Sequence, residues 1–444
     1  MQAFLNKLMQ SAQNAGIEAC EAYVIQRDSF RAMTAQGEIT EYSSNSTRGL
    51  GFRGLKNGRM GYASTEAFDE EAIGQLVRGV VESAELSVDT DPEFLYDGAE
   101  ATPEINLQND ALAQSEPEEK IARLQAMEKA IRETPLVDRS ANNTISTSRY
   151  TVRIVNSHGM NRAYTEDMCL MFGEATAKDG DFVSSGFYGK AARDLAELDA
   201  QAIGQETARR AVNALNAGPV PSGKYHVVIS GEAMTDLLST FCGIFSAESA
   251  QKGLSLLKGR LGETIAAPCV TLVDDPLLPG GLSSRPFDDE GVPSKAHTLI
   301  EKGVFQTFLH NLKTAHKDGV ETTGNASKTG YSSPVHVAPS NLYLKPGARS
   351  LDEMLSSIGE GVVITEVSGL HAGANPLSGD FSLLSKGYTF QGGKRDKPVE
   401  QITIAGNFYQ LLQSARELAS DLTFPMGGVG SPSVDVGELS ISGC

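Results

Sequence analysis

Five strand-patterned segments follow one another with only turn-sized gaps: Ala22 to Gln26, Ser29 to Ala35, Ile39 to Ser44, Arg48 to Leu55 and Met60 to Thr65. This run restricts the fold more than any other feature. Strands joined by a few residues pair antiparallel, because a parallel neighbour needs a crossover of roughly a dozen residues or more. The Lys56-Asn57-Gly58 turn is the sharpest hairpin signal, since Asn-Gly accepts the positive φ angles of a tight turn. Helical patterns bracket the run. Phe4, Leu5, Leu8 and Met9 give the N-terminus an apolar stripe, and Asp69 caps a second helix through about Ala84 with Ile73, Leu76, Val77, Val80 and Val81 on one face.

The stretch from Ser87 to Pro117 is rich in Asp, Glu and Pro and lacks periodicity, so it reads as a linker with a domain boundary near residue 110. A helix (Glu118 to Glu133), strands (Val137 to Asn156, Asn161 to Ala177, Asp181 to Gly189) and a long helix (Leu195 to Leu215) follow. The order repeats that of the first unit, although no residue motif recurs. Pro219 to Gly223 breaks the chain again. A buried-type strand, Tyr225 to Ser230, then leads into a helix from about Glu232 to Phe245. Beyond residue 257 short strands and glycine turns dominate, with helices expected at Leu351 to Ile358 and Asn407 to Ala419 and a last strand at Val434 to Ser442. The expected class is α+β: antiparallel sheets with packed helices, in domains 1–110, 111–218 and a β-rich 219–444.

The chain carries 444 residues and a formal net charge of −18. Gripping nucleic acid requires a concentrated basic surface. The densest basic stretch, Lys394-Arg395-Asp396-Lys397, is interrupted by an acid and reads as a solvated loop, so direct nucleic-acid binding is not expected. Five scattered cysteines without a Cys-x-x-Cys spacing argue against a disulfide framework and for a reducing cytoplasm. No signal peptide and no membrane span are expected.

Few residues propose chemistry. The seven histidines include no His-Glu dipeptide, and His310 and His316 would be roughly 240° apart on a helix. No Gly-x-Ser-x-Gly elbow is present. The acids Asp274-Asp275 and Asp288-Asp289-Glu290 lie beside turn residues and read as turn stabilisers, with cation binding as the other use. The C-terminal third instead repeats small residues beside Asn, Asp and Ser, at Thr322 to Asn325, Gly369 to Asn375, Ser378 to Ser382 and Ile404 to Asn407. Such loops serve either as turns between strands or as backbones that approach a bound peptide closely. The candidate substrate-binding residues are Thr323, Gly324, Asn325, His371, Asn375, Ser378, Gly379 and Asp380.

Taken in order, Val270 to Asp275, Phe287 to Gly291, Leu299 to Gly303, Thr323 to Asn325, Ser378 to Ser382 and Pro398 to Asn407 resemble the signature of the TldD/PmbA family, long called modulators of DNA gyrase. The resemblance implies a heterodimeric zinc protease for unfolded or flexible peptides, in which only the TldD branch carries the metal. That branch has a His-Glu-x-x-x-His helix after the first strand of the third region, and a cysteine near the C-terminus. Here the corresponding helix reads Met234 to Gly243 without His or Glu, and Met426 to Ser433 contains no cysteine. The chain therefore resembles the PmbA (TldE) branch: no catalytic residue, no metal and no cofactor of its own, with zinc in a TldD-type partner. A homodimer in the absence of that partner stays open, and Cys242 reads as a small core residue. The competing reading is a non-proteolytic regulator that binds gyrase or another large partner.

Overall fold

The computed structural model describes residues 1–88 and 91–444; Asp89 and Thr90, within the expected linker, lie outside the described residues. Helix α1 (Gln2–Asn14) leads into β1 (Ala19–Ala35), β2 (Glu38–Lys56), β3 (Arg59–Thr65) and α2 (Glu70–Leu86). Then come α3 (Asp110–Gln114), α4 (Pro117–Arg132), β4 (Val137–Asn156), β5 (Asn161–Asp179), β6 (Phe182–Ala192) and α5 (Ala200–Asn213). All six strands form one antiparallel sheet in the order β3-β2-β1-β4-β5-β6. The β1–β4 ladder, from Glu21↔Asn156 to Thr34↔Asn143, carries the sheet across the segment around residue 110.

The antiparallel expectation holds, but five short segments are three longer strands. Gln26 to Ser29 and Ser44 to Arg48 continue their strands because the β1–β2 ladder pairs them with each other, Gln26↔Arg48 through Phe30↔Ser44. Their polar side chains concealed the continuity. The stretch taken as a linker contains α3 and buries Leu95, Leu107 and Leu112. The long helix from Leu195 is a short 3-10 turn (Leu195–Glu197) followed by α5, because Asp194 and Asp199 each cap a new start.

Helices cover one face of the sheet. Leu5 and Leu8 of α1 and Ile73, Leu76 and Val80 of α2 pack on Leu50 and Phe52. Leu124, Met127 and Ile131 of α4 and Ile203, Ala208 and Ala211 of α5 pack on Ile145 and Met171. Burying such aliphatic side chains contributes about 1.5–3 kcal/mol each. On the opposite face Tyr23, Ile25, Val152, Ile154 and Met160 meet Phe287 of the third region.

That region opens with β7 (Gly223–Ile229), parallel to Glu360–Ser368 and antiparallel to Val434–Ser442. Glu360–Ser368, Asp380–Gln391 and Lys394–Asn407 continue antiparallel, and Thr403 to Ala405 pair back onto Ser440 to Ser442. The five strands close on themselves as a barrel. Helix α6 (Gly231–Phe241) caps its buried side: Phe241 stacks on Phe408 at 4.6 Å amid Val227, Ile229, Val362 and Ile404. Lys394 to Lys397, expected as a loop, is the exposed start of a strand, since the Gly392-Gly393 turn provides the reversal. The helix expected to reach Ala419 stops at Ser414, with Ala415 extended and Glu417–Leu418 paired to Asp435 and Val434. A helix at Leu312–Asp318, which Asn311 caps, was not foreseen. Among the described residues no helix is long and apolar enough to cross a membrane.

Candidate functional site

The predicted site residues fall into two groups. Thr323, Gly324 and Asn325 are buried in the third region. The Thr323 hydroxyl accepts from the His310 backbone N–H at 2.6 Å, and the His297 ring lies 2.9 Å from the Thr323 carbonyl. Asn325 donates to Asp274 at 2.7 Å and to the Ala338 carbonyl at 3.3 Å. Asp274 also accepts from the backbone and hydroxyl of Ser340, so it ties three chain segments together. Burial pushes the Asp274 carboxyl above its ordinary value against these bonds, and pushes His297 and His310 down.

The second group surrounds the end of the Asp380–Gln391 hairpin. Asn375 accepts from Leu377 and Ser378, while Asn407 donates to the Ser378 carbonyl at 2.8 Å and to Asp380 at 2.9 Å. Those bonds hold the Asp380 carboxyl below its ordinary value. Gly379 has φ +81, and a Cβ there would stand 2.5 Å from the Tyr409 ring, so this turn requires glycine. His371 projects from the short exposed helix Leu370–Gly373.

Neither group lines a cavity of about 1030 Å³ between β6 and α5 on one side and the barrel on the other. Its walls include Ser185 and Phe187 of β6, Arg209 and Arg210 of α5, Thr365 and Glu366, and Met426. The N-terminal turns of α6 enter it through Ser230, Glu232 and Asp236. The segments Met234 to Gly243 and Met426 to Ser433 thus both reach one chamber, through Asp236, Met426 and Ser433. Arg210 bonds Glu232 through two nitrogens at 2.6 Å each and Glu206 at 2.8 Å, and these carboxylates overcome its burial to raise its pKa. Glu232 and Asp236 stand four residues apart on one helix, a like-charge spacing that is unfavourable unless something compensates. That spacing was a signal in the sequence; the opposing Arg209-Arg210 pair, distant in the chain, could not be matched to it without the fold.

Desolvation in the chamber, with Glu232 and then Glu366 nearby, lifts the Asp236 carboxyl to about 6. An acid whose folded value exceeds its unfolded value of about 3.9 binds its proton more tightly in the native state, so stability falls as pH rises from about 4 to about 6. Asp236→Asn is expected to remove that loss and raise stability above pH 6. Urea unfolding from pH 4 to 7 measures it, with wild type and variant curves converging at the acid end.

These residues do not fit a zinc ion. No His or Cys is among the lining residues. Glu232 already holds Arg210. Among the described residues no three His, Cys, Asp or Glu side chains converge as a metal cluster. Cys242, half-buried against the core, has its thiol pushed up to about 11 by burial.

Three arrangements fix the sheet against the third region. Arg53 of β2 bonds Glu21 of β1 at 2.8 Å and Glu290 at 3.4 Å, all three nearly inaccessible. Tyr23 donates to Asp289 at 2.8 Å. Arg193 joins Glu166 at 3.1 Å to the carbonyls of Gly281 and Leu282. Asp288 accepts from the backbone of Glu290, Val292 and Ala326, the turn role expected of these acids, whereas the links made by Asp289 and Glu290 to the sheet are additional.

Comparison with known proteins agrees with this architecture. Three domain families match in order: PmbA/TldA metallopeptidase domain 1 at residues 20–84, the central domain at 110–215 and the C-terminal domain at 222–443. A Thermotoga maritima crystal structure, described as a proposed modulator of a DNA gyrase, is 32% identical with a TM-score of 0.93, covering 99% of this chain and 100% of that one. TldE from Thermococcus kodakarensis is 26% identical with a TM-score of 0.91, at 99% and 100% coverage. Metalloprotease PmbA of Escherichia coli O157:H7 is 26% identical over 98% of this chain and 96% of its own. With matched domains along most of its length and a shared fold from end to end, the chain belongs to the PmbA/TldD metallopeptidase family.

Proposed function

We propose that this chain is the non-catalytic, TldE-type subunit of a heterodimeric zinc metallopeptidase that cleaves unfolded or flexible peptides. One observation carries the reading: the helix in the position of the family's metal-binding helix reaches the chamber with Glu232 and Asp236, one of them committed to an arginine. The chamber is kept while the metal chemistry is given up. In this reading the zinc belongs to a TldD-type partner, whose bound water would be the nucleophile. This chain supplies a wall of the substrate chamber. We assign this activity to the cytoplasm, since five scattered cysteines without a Cys-x-x-Cys spacing suit a reducing compartment.

A purified TldD-type relative mixed with this chain should co-elute as a complex of one copy each in size-exclusion chromatography with light scattering. Separate elution at micromolar concentrations, or a complex with gyrase subunits instead, would overturn the reading.

A further inference from the structure

A second hollow lies where the turn between β1 and β2 meets α4. Its volume is about 420 Å³, and it is lined by Gly37, Gln125, Glu128, Lys129, Arg132 and Glu133, none of which lines the chamber. The turn is made by Gln36 and Gly37, both at positive φ, and the Gly37 N–H donates to Oε1 of Glu128 at 2.8 Å. A Cβ on Gly37 would stand 2.7 Å from Nη1 of Arg132, so the bare α-carbon lets the guanidinium lie against the turn. Two opposite charges on α4 thus converge on one glycine.

Glu128 and Arg132 stand four residues apart, the helical spacing at which opposite charges usually pair. The same helix pairs Arg123 with Glu119 at 3.1 Å and Lys129 with Glu133 at 3.8 Å. Glu128 and Arg132 stay apart. Glu128 is 2% exposed; Gly37 occupies its Oε1, and its Oε2 is buried without a hydrogen-bond partner. Arg132 is exposed and forms no ion pair among the described residues. A buried carboxylate oxygen without a donor is costly, and both charges at this turn have bonding capacity left over.

The charge pattern selects the occupant. A metal ion would find one carboxylate beside a repelling arginine, and an inorganic anion would meet the charge of Glu128. A molecule that carries an ammonium and a carboxylate side by side satisfies both. We propose that this hollow binds a free α-amino acid, its ammonium donating to Oε2 of Glu128 and its carboxylate accepting from the Arg132 guanidinium, whose planar fork suits two oxygens. The rest of the wall, Gln125 with the Lys129–Glu133 pair, is polar and favours a polar side chain. The site stands apart from the chamber and does not rest on the subunit reading.

The test titrates the purified full chain with each standard amino acid, reading binding by saturation-transfer NMR and by amide hydrogen exchange across residues 34–38. At least one is expected to bind with a Kd of about 1 mM or tighter and to slow exchange at the Gly37 turn. Its N-acetyl form, which lacks the ammonium, and its amide, which lacks the carboxylate, should each bind at least about tenfold more weakly. Arg132→Met and Glu128→Gln should each weaken binding by a similar factor. Arg132 is exposed, so its variant keeps the fold, and glutamine at 128 keeps an acceptor for the Gly37 N–H. No binding by any amino acid at about 10 mM would overturn the inference. So would undiminished binding of the N-acetyl or amide form, unchanged affinity in Arg132→Met, or protection in the chamber instead of at the turn.

Discussion

Replacing Arg53 by methionine is expected to lower folding stability by about 3–5 kcal/mol, the cost of stranding buried charge when one partner of an internal ion pair is removed. Glu21 and Arg53 are 0% and 2% exposed, so water cannot replace the lost guanidinium. Burial alone would lower the Arg53 pKa; the carboxylates of Glu21 and Glu290 outweigh it and hold the group charged. Methionine keeps much of the side-chain volume, which makes the loss electrostatic. Urea denaturation gives the measurement, and Arg53→Met combined with Glu21→Gln and Glu290→Gln should recover a large part of the loss. A single-variant effect below about 1 kcal/mol would show that the triad does not bind the sheet to the third region.

Filling the chamber should abolish function while sparing the fold. Ser185→Trp on β6 and Thr365→Trp on the opposite wall each place a large ring where the structure has open space, at side chains that are exposed and half-buried respectively. Each is expected to reduce kcat/KM of the proposed two-subunit enzyme for an unstructured peptide by about a hundredfold, or roughly 2.7 kcal/mol of transition-state stabilisation. The melting temperature should stay close to that of the wild type. Full cleavage by both variants would mean that peptides do not pass through this cavity.

Much of the fold was legible because its signals are local. The Asn57-Gly58 hairpin, the Asp69 cap and the apolar stripe of α2 each depend on neighbours within a turn or two of chain. What stayed hidden depends on distance. Polar Gln26 to Ser29 lie in mid-strand only because their ladder partners extend past them. The three acids at 288–290 have a turn role readable from Gly291, but their links to Tyr23 and Arg53 span more than two hundred residues. The chamber was least legible of all. It is assembled from a sheet edge, two helix faces and a barrel wall, whereas glycine-rich motifs drew attention to loops that structure themselves, as Asn375, Ser378, Asp380 and Asn407 do. Motif residues identified the family; the arrangement of charged residues around the cavity appears only in three dimensions.

We propose that this chain serves a metal held by another chain. The most direct test is cleavage of an unstructured peptide by the purified chain with added zinc, by a purified TldD-type relative, and by the two together. The expected result is no turnover by this chain alone and chelator-sensitive turnover by the mixture well above that of the relative by itself. Chelator-sensitive cleavage by this chain alone, at a rate the mixture does not exceed, would contradict it.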